Sequence, residues 1–281
     1  FCSACGERTP LVEAPRIDNR DKSFNWISGF RAVPTQLSLV DTKIEDRVSV
    51  GLEEVDRVLG GGLVPGSLVL FAGEPGVGKS TLLLQSLANI SGQGNMVLYV
   101  SGEESDRQIK LRSERIGLSG DSIFLLSETD VDRILNNLEQ IKPSVAVIDS
   151  VQTLFTEDAQ SGPGSVTQVR ECSLRLMRWG KATSTPLLLA GHVTKDGTIA
   201  GPRVLEHMVD VVLYLEGENL GDYRLLRSTK NRFGSTNEVA MLQMSGRGME
   251  EVLDPSKVLL EERSPATVGS AVVPILEGSR P

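Results

Sequence analysis

The chain has no long apolar run. Its uninterrupted hydrophobic stretches are only a few residues each, too short for a membrane-spanning helix, so no membrane partner is expected. It also lacks the basic-then-apolar opening of a secretory leader, and the resulting expectation is a cytoplasmic protein. Positive charge is in deficit: 29 Lys and Arg stand against 37 Asp and Glu, for a net charge of −8 and a pI near 5.0. This excludes a generally basic nucleic-acid binder, and any contact with DNA must use a local patch of cations. Internal repeats and low-complexity tracts are absent. The first residue is Phe1 rather than methionine, so features missing from either end carry no weight. What is present, 281 residues with 40% apolar content, suffices for one large core and a smaller element or linker.

Cysteine is scarce too, with three residues in all. Cys2-Ser-Ala-Cys5-Gly6 has the spacing of a zinc knuckle, in which two thiolates bite one metal and the glycine frees the turn. A tetrahedral structural site needs four ligands, and no second C-x-x-C follows. Cys2 and Cys5 therefore read as a half-site for Zn2+ or as two free thiols. Cys172 lies with Val169, Leu176 and Trp179 at helical spacing, which points to core packing.

The most informative stretch is Gly73-Glu74-Pro75-Gly76-Val77-Gly78-Lys79-Ser80-Thr81, the phosphate-loop pattern G-x-x-x-x-G-K-[ST]. Its glycines let the backbone curl so that successive N–H groups can cradle a triphosphate. Lys79 is placed to reach the β- and γ-phosphates of ATP, and the Ser80 hydroxyl to ligand Mg2+. The context agrees: an apolar strand over 67–72 precedes the loop, and a helical stretch over 81–90 follows it, its N-terminus favouring an anion.

Around this loop the pattern alternates. Leu52, Val55, Val58 and Leu59 predict a short amphipathic helix stopped by Gly60-Gly61-Gly62. Strands are predicted over 96–101, 123–126, 144–149 and 186–190, and helices over 105–116, 131–141 and 166–179, with Ser105 and Gln108 as a capping box. This is the rhythm of a mostly parallel sheet with helices on both faces, an α/β fold. Three strands with short connections follow at 211–215, 224–228 and 239–244, predicting antiparallel pairing at that edge.

Val145-Ala-Val-Ile-Asp149 delivers a carboxylate at the end of a buried strand, the means by which such folds hold the magnesium–water shell, so Asp149 joins Ser80 as a magnesium-side residue. Glu103 and Glu104 follow the strand over 96–101, read as the neighbour of the phosphate-loop strand. One should face the γ-phosphate and orient the attacking water, and Glu103 is assigned that role. The plainer reading is a solvated acidic pair favouring the start of a helix.

These residues carry a specific resemblance. The half zinc knuckle, the Leu59–Ser67 approach, the phosphate loop and Val147-Ile-Asp-Ser-Val-Gln-Thr153 belong to it. So do Gly191-His-Val-Thr-Lys195, the 200–210 segment and Lys230-Asn-Arg-Phe-Gly234. Together they resemble the bacterial RadA family of RecA-like DNA-repair ATPases. The match covers nearly all of residues 48–263. The family pattern has two C-x-x-C pairs where this chain has one, and it continues into a Lon-protease-like domain of which only Gly269–Pro281 resembles a beginning. The implied organisation is a partial zinc-finger segment over 1–10, a linker over 11–47, a RecA-like ATPase domain over 48–263, and the start of a truncated Lon-like domain over 264–281.

The resemblance implies a homo-oligomeric ring, a hexamer, that moves on single-stranded DNA, drives branch migration on branched DNA during recombination, and cooperates with RecA recombinase. It implies that Lys230 and Arg232, two apart beyond a strand and so able to point the same way, act across a subunit interface on the γ-phosphate. Without the family match they read as a basic surface turn. His192 is implied to sense the γ-phosphate, the alternative being a histidine satisfied by nearby backbone. The loops at 156–168 and 194–203 are implied to line the central channel, with Lys195 and Arg203 as DNA-phosphate contacts. A nucleotide-driven assembly switch without translocation is the competing function class.

Overall fold

The computed structural model describes residues 36–39, 47–118, 120, 122–192, 205–217 and 221–261. Cys2, Cys5, Lys195, Arg203 and the 264–281 segment lie outside the described residues. The chain divides into two units. The first, Phe1–Asp41, is described only by a 3-10 turn at Leu37–Leu39. The second begins at Thr42 and contains everything that follows.

Its centre is a nine-stranded sheet. In chain order the strands are β1 (Leu68–Gly73), β2 (Val97–Ser101), β3 (Ile123–Ser127), β4 (Val145–Asp149), β5 (Leu187–His192), β6 (Val211–Gly217), β7 (Tyr223–Asn231), β8 (Val239–Ser245) and β9 (Gly248–Glu251). The described helices are α1 (Glu53–Leu59), α2 (Lys79–Gly92), α3 (Asp106–Arg115), α4 (Val131–Ile141), α5 (Val166–Thr183) and α6 (Pro255–Glu261). The spatial order of the strands is β3-β2-β4-β5-β1-β6-β7-β8-β9. Strands from β3 to β6 run parallel, and β7, β8 and β9 extend the sheet antiparallel.

Strands β1, β2 and β4 are buried on both faces, which is why they read as continuous apolar runs rather than alternating ones. On one face Val69, Phe71, Val97, Tyr99, Val147, Leu188 and Leu213 share a core with Leu82, Leu83 and Leu87 of α2 and Val55, Val58 and Leu59 of α1. Helices α4 and α5 pack together on the other side, where Val169, Cys172, Leu176 and Trp179 are all buried. Helix α1 ends at Gly60 in the left-handed region, and α3 opens with the Ser105–Gln108 capping box. Among the described residues no helix is long and apolar enough to cross a membrane.

One expectation needs correction. The strand carrying Glu103 is not the neighbour of the phosphate-loop strand: β4 and β5 lie between β2 and β1. Local periodicity reveals that a strand exists, whereas its neighbours are set by long-range crossovers. The three strands expected to pair antiparallel do so, β6 with β7 and β7 with β8, and β6 also pairs parallel with β1, so it joins the two parts of the sheet.

Candidate active site

The loop between β1 and α2 has the backbone that its glycines predict. Gly76 and Gly78 adopt φ values of 78° and 114°, which residues with a side chain rarely do. Helix α2 starts at Lys79 with no acidic residue in its first turn, so its positive end is left for an external anion. Lys79 is buried, and its ammonium donates to Gly73 O at 2.8 Å and Glu74 O at 2.9 Å. Burial lowers its pKa, and the carboxylates of Asp149 and Glu103 work against that shift. The antiparallel strands brace the loop from behind. Arg224 Nε of β7 donates to Val77 O at 3.2 Å, and the methyl ends of Met244 and Met249 press against Gly78.

Two carboxylates approach from strand ends. Asp149 closes β4, and its Oδ2 accepts a 2.5 Å hydrogen bond from the Tyr99 hydroxyl. Burial, followed by the neighbouring Asp149 charge, holds the Tyr99 phenol well above its usual range, so it stays a donor. Glu103 sits in the turn after β2. Its Oε1 accepts from Ser150 Oγ at 2.5 Å and lies 3.3 Å from His192 Nε2. His192 closes β5 directly opposite Gly73 in the register, and its Nδ1 lies 3.2 Å from Lys79 Nζ. An ammonium can only donate, so Nδ1 accepts there, and Nε2 carries the hydrogen that faces Glu103. Lys79, His192, Glu103 and Ser150 thus form one polar chain along the carboxyl edge of the sheet. The adjacent acid goes elsewhere: Glu104 pairs with Arg112 of α3, and its N–H donates to Ser101 Oγ at 2.9 Å.

The donor set suits magnesium. Among the described residues nothing donates to Asp149 Oδ1, and the Ser80 hydroxyl has no partner, leaving two hard oxygens beside the loop. No group of three or more His, Cys, Asp or Glu assembles among the described residues, so they offer no all-protein cage. A few protein oxygens shared with phosphate is the usual way this cation is held.

Lys230 and Arg232 do not both lie beyond a strand, contrary to the expectation, and both reach towards the 206–210 segment. Lys230 lies within β7, and its ammonium donates to Glu206 O at 2.6 Å and Val209 O at 2.8 Å. Burial, then the nearby Arg232 charge, lowers its pKa. Asn231 then turns the chain, its Oδ1 accepting from Phe233 N at 2.8 Å, and Arg232 emerges half-exposed with Nη1 3.5 Å from Asp210 Oδ1. Both residues sit at the amino end of β1. Arg232 N donates to Asp210 O, and Asp210 N donates to Leu68 O. Gly73 is five residues further along that strand, about 17 Å away at roughly 3.4 Å per residue.

Sequence reasoning missed Tyr99, Ser150 and Arg224. A tyrosine in the middle of an otherwise apolar buried strand was the available signal for the first, since a buried phenol needs a partner.

Residues 34–198 match the AAA domain family. Along its whole length the chain is 49% identical to the DNA repair protein RadA of Bacillus subtilis (strain 168), covering 62% of that protein. It is 48% identical to the DNA repair protein RadA of Listeria monocytogenes, covering 61%. The chain thus spans about three fifths of the curated relatives it matches. Among solved structures, the KaiC-like protein PH0186 from Pyrococcus horikoshii OT3 superposes with a TM-score of 0.61 at 20% identity, over 73% of this chain and 98% of that one. At that identity the likeness speaks to the fold alone, an α/β RecA-like core.

Proposed function

This chain belongs to the AAA domain family and has the RecA-like ATPase core of proteins named DNA repair protein RadA, and from that premise we propose that it couples ATP hydrolysis to movement on single-stranded DNA during recombinational repair. The observation that carries the proposal is the meeting of Lys79, His192, Glu103 and Asp149 at the carboxyl ends of β1, β5, β2 and β4.

The loop from Gly73 to Thr81 binds the triphosphate, and Lys79 exchanges its carbonyl contacts for β- and γ-phosphate oxygens. Ser80 and Asp149 hold magnesium, which when bound neutralises charge on those oxygens. Glu103 orients the attacking water, held by Ser150 on one side and His192 on the other. His192 reports the γ-phosphate to the 193–204 segment that follows it. The described loop over 156–165 carries Glu157 and Asp158 but no Lys or Arg, so the single-strand contacts fall to Lys195 and Arg203. Arg232, too far from its own loop, serves the neighbouring subunit of a ring. Branched DNA and RecA recombinase are the proposed partners. Zinc would need ligands beyond Cys2 and Cys5.

The test is the ATPase rate of one gel-filtered oligomer with and without single-stranded DNA. Stimulation by DNA supports the motor. Turnover indifferent to DNA but linked to assembly supports a nucleotide-driven switch instead. Turnover that survives Lys79→Ala would overturn the site itself.

A further inference from the structure

We propose that Tyr99 is a positioning residue that fixes the Asp149 carboxylate, and that Arg112 and Glu104 hold Tyr99 in turn. The proposal rests on reading Asp149 as the magnesium-side carboxylate.

All five residues of β2 are buried, and Tyr99 is 0% exposed. Phenylalanine would fill the same space without a polar atom to satisfy. A buried hydroxyl costs free energy unless it finds a partner. Its partner is Asp149 Oδ2 at 2.5 Å. The register explains the reach. In the parallel β2–β4 pair Ser101 stands opposite Asp149 and Tyr99 opposite Val147. Tyr99 is therefore one pleat back on the same side of the sheet, and its long side chain extends forward along the diagonal. With Oδ2 taken, the carboxylate keeps one rotation and presents Oδ1 outward.

The other end of the relay lies on α3. Arg112 lies near enough to Tyr99 for its charge to act on the phenol, and its guanidinium pairs with Glu104. Its side chain is 13% exposed, and its Nη1 is buried without a hydrogen-bond partner. A buried guanidinium here makes little sense for stability alone, since its desolvation is incompletely repaid. It does tie two positions together. Glu104 shares a peptide bond with Glu103, so the segment that aims Glu103 into the site also anchors Arg112, and through Tyr99 the orientation of Asp149. The carboxylates from β2 and β4 are set by one connected network rather than separately.

The experiment uses Tyr99→Phe, Arg112→Met and Asp149→Asn in the full chain. Mn2+ affinity of the protein–ADP complex is read by the electron paramagnetic resonance of free Mn2+, beside ADP affinity in EDTA. Tyr99→Phe should bind ADP in EDTA as the parent does, yet hold Mn2+ about 10–100-fold more weakly, the usual loss when a residue behind a metal ligand is removed. The Mg2+ concentration for half-maximal turnover should rise in step. Arg112→Met should shift Mn2+ affinity in the same direction by a smaller factor, and it carries the test should Tyr99→Phe not fold. Parental Mn2+ affinity in both variants, with Asp149→Asn defective, overturns the relay while sparing the reading of Asp149. Parental Mn2+ affinity in Asp149→Asn overturns that reading instead.

Discussion

Glu103→Gln keeps an oxygen for the Ser150 hydroxyl and removes only the charge that faces His192 and Lys79. It is expected to bind ATP normally and hydrolyse it at least about 100-fold more slowly, the low end of what a positioned carboxylate contributes. Glu104→Gln, aimed at Arg112, should lose far less, and the reverse pattern in single-turnover assays would exchange their roles. Cys172 supplies a test away from the site. Burial pushes its thiol up to about 12 from an ordinary 9.0. Between those values the unfolded chain has released the proton and the folded one has not. Stability from this group is therefore intact below pH 9 and falls as pH rises through the window. Thermal unfolding of the parent should weaken more steeply above pH 9 than that of Cys172→Ala, and iodoacetamide should reach Cys172 only after denaturation. The motif residues of the site were legible because a phosphate loop fixes both residue types and spacing. Tyr99, Ser150 and Arg112 were not, because they act through contacts between strands and helices distant in sequence.

Strands and helices announced themselves by burial pattern wherever they were long, as with Val131–Ile141, which the apolar spacing predicts residue for residue. Strand β9 did not: Gly-Met-Glu-Glu is too short and too charged to display alternation, and it is defined only by pairing with β8. Helix α6, opening on Pro255, gave an equally faint signal. Sheet order was illegible for a different reason, since hydrogen bonding between strands joins residues far apart in the chain. Glu103 reaches the loop region across two intervening strands because every parallel strand ends on the same edge of the sheet. The pentapeptide shows the cost of reading residues without their elements. Lys230, tied to backbone carbonyls of Glu206 and Val209, secures the turn that follows the 193–204 segment. Lys230→Met should destabilise the domain by about 1 kcal/mol, a typical net hydrogen-bond loss, and lower Tm by roughly 2–4 °C, with ATP affinity unchanged. Arg232→Ala should leave Tm where it was, and calorimetry of the two variants separates their roles.

In the proposed ring, Arg232→Ala subunits retain an intact phosphate loop, and Lys79→Ala subunits retain an intact arginine. Each alone should be nearly inactive, yet mixing with verified exchange should restore turnover wherever an intact loop meets an intact arginine. The recovery could be large, since an arginine finger is worth about 10³–10⁵ in rate. Mixtures no better than the sum of their parts would place the role of Arg232 elsewhere. The separation of Arg232 from Lys79 along β1 also gives each subunit a head and a tail. If Arg232 serves a neighbour as proposed, head-to-tail stacking completes one centre per contact and must either close on itself or grow without end. Dilution should then silence the enzyme more steeply than in proportion to its concentration. An inactive copy should poison by position, disabling the centre on one of its flanks and leaving the other at work.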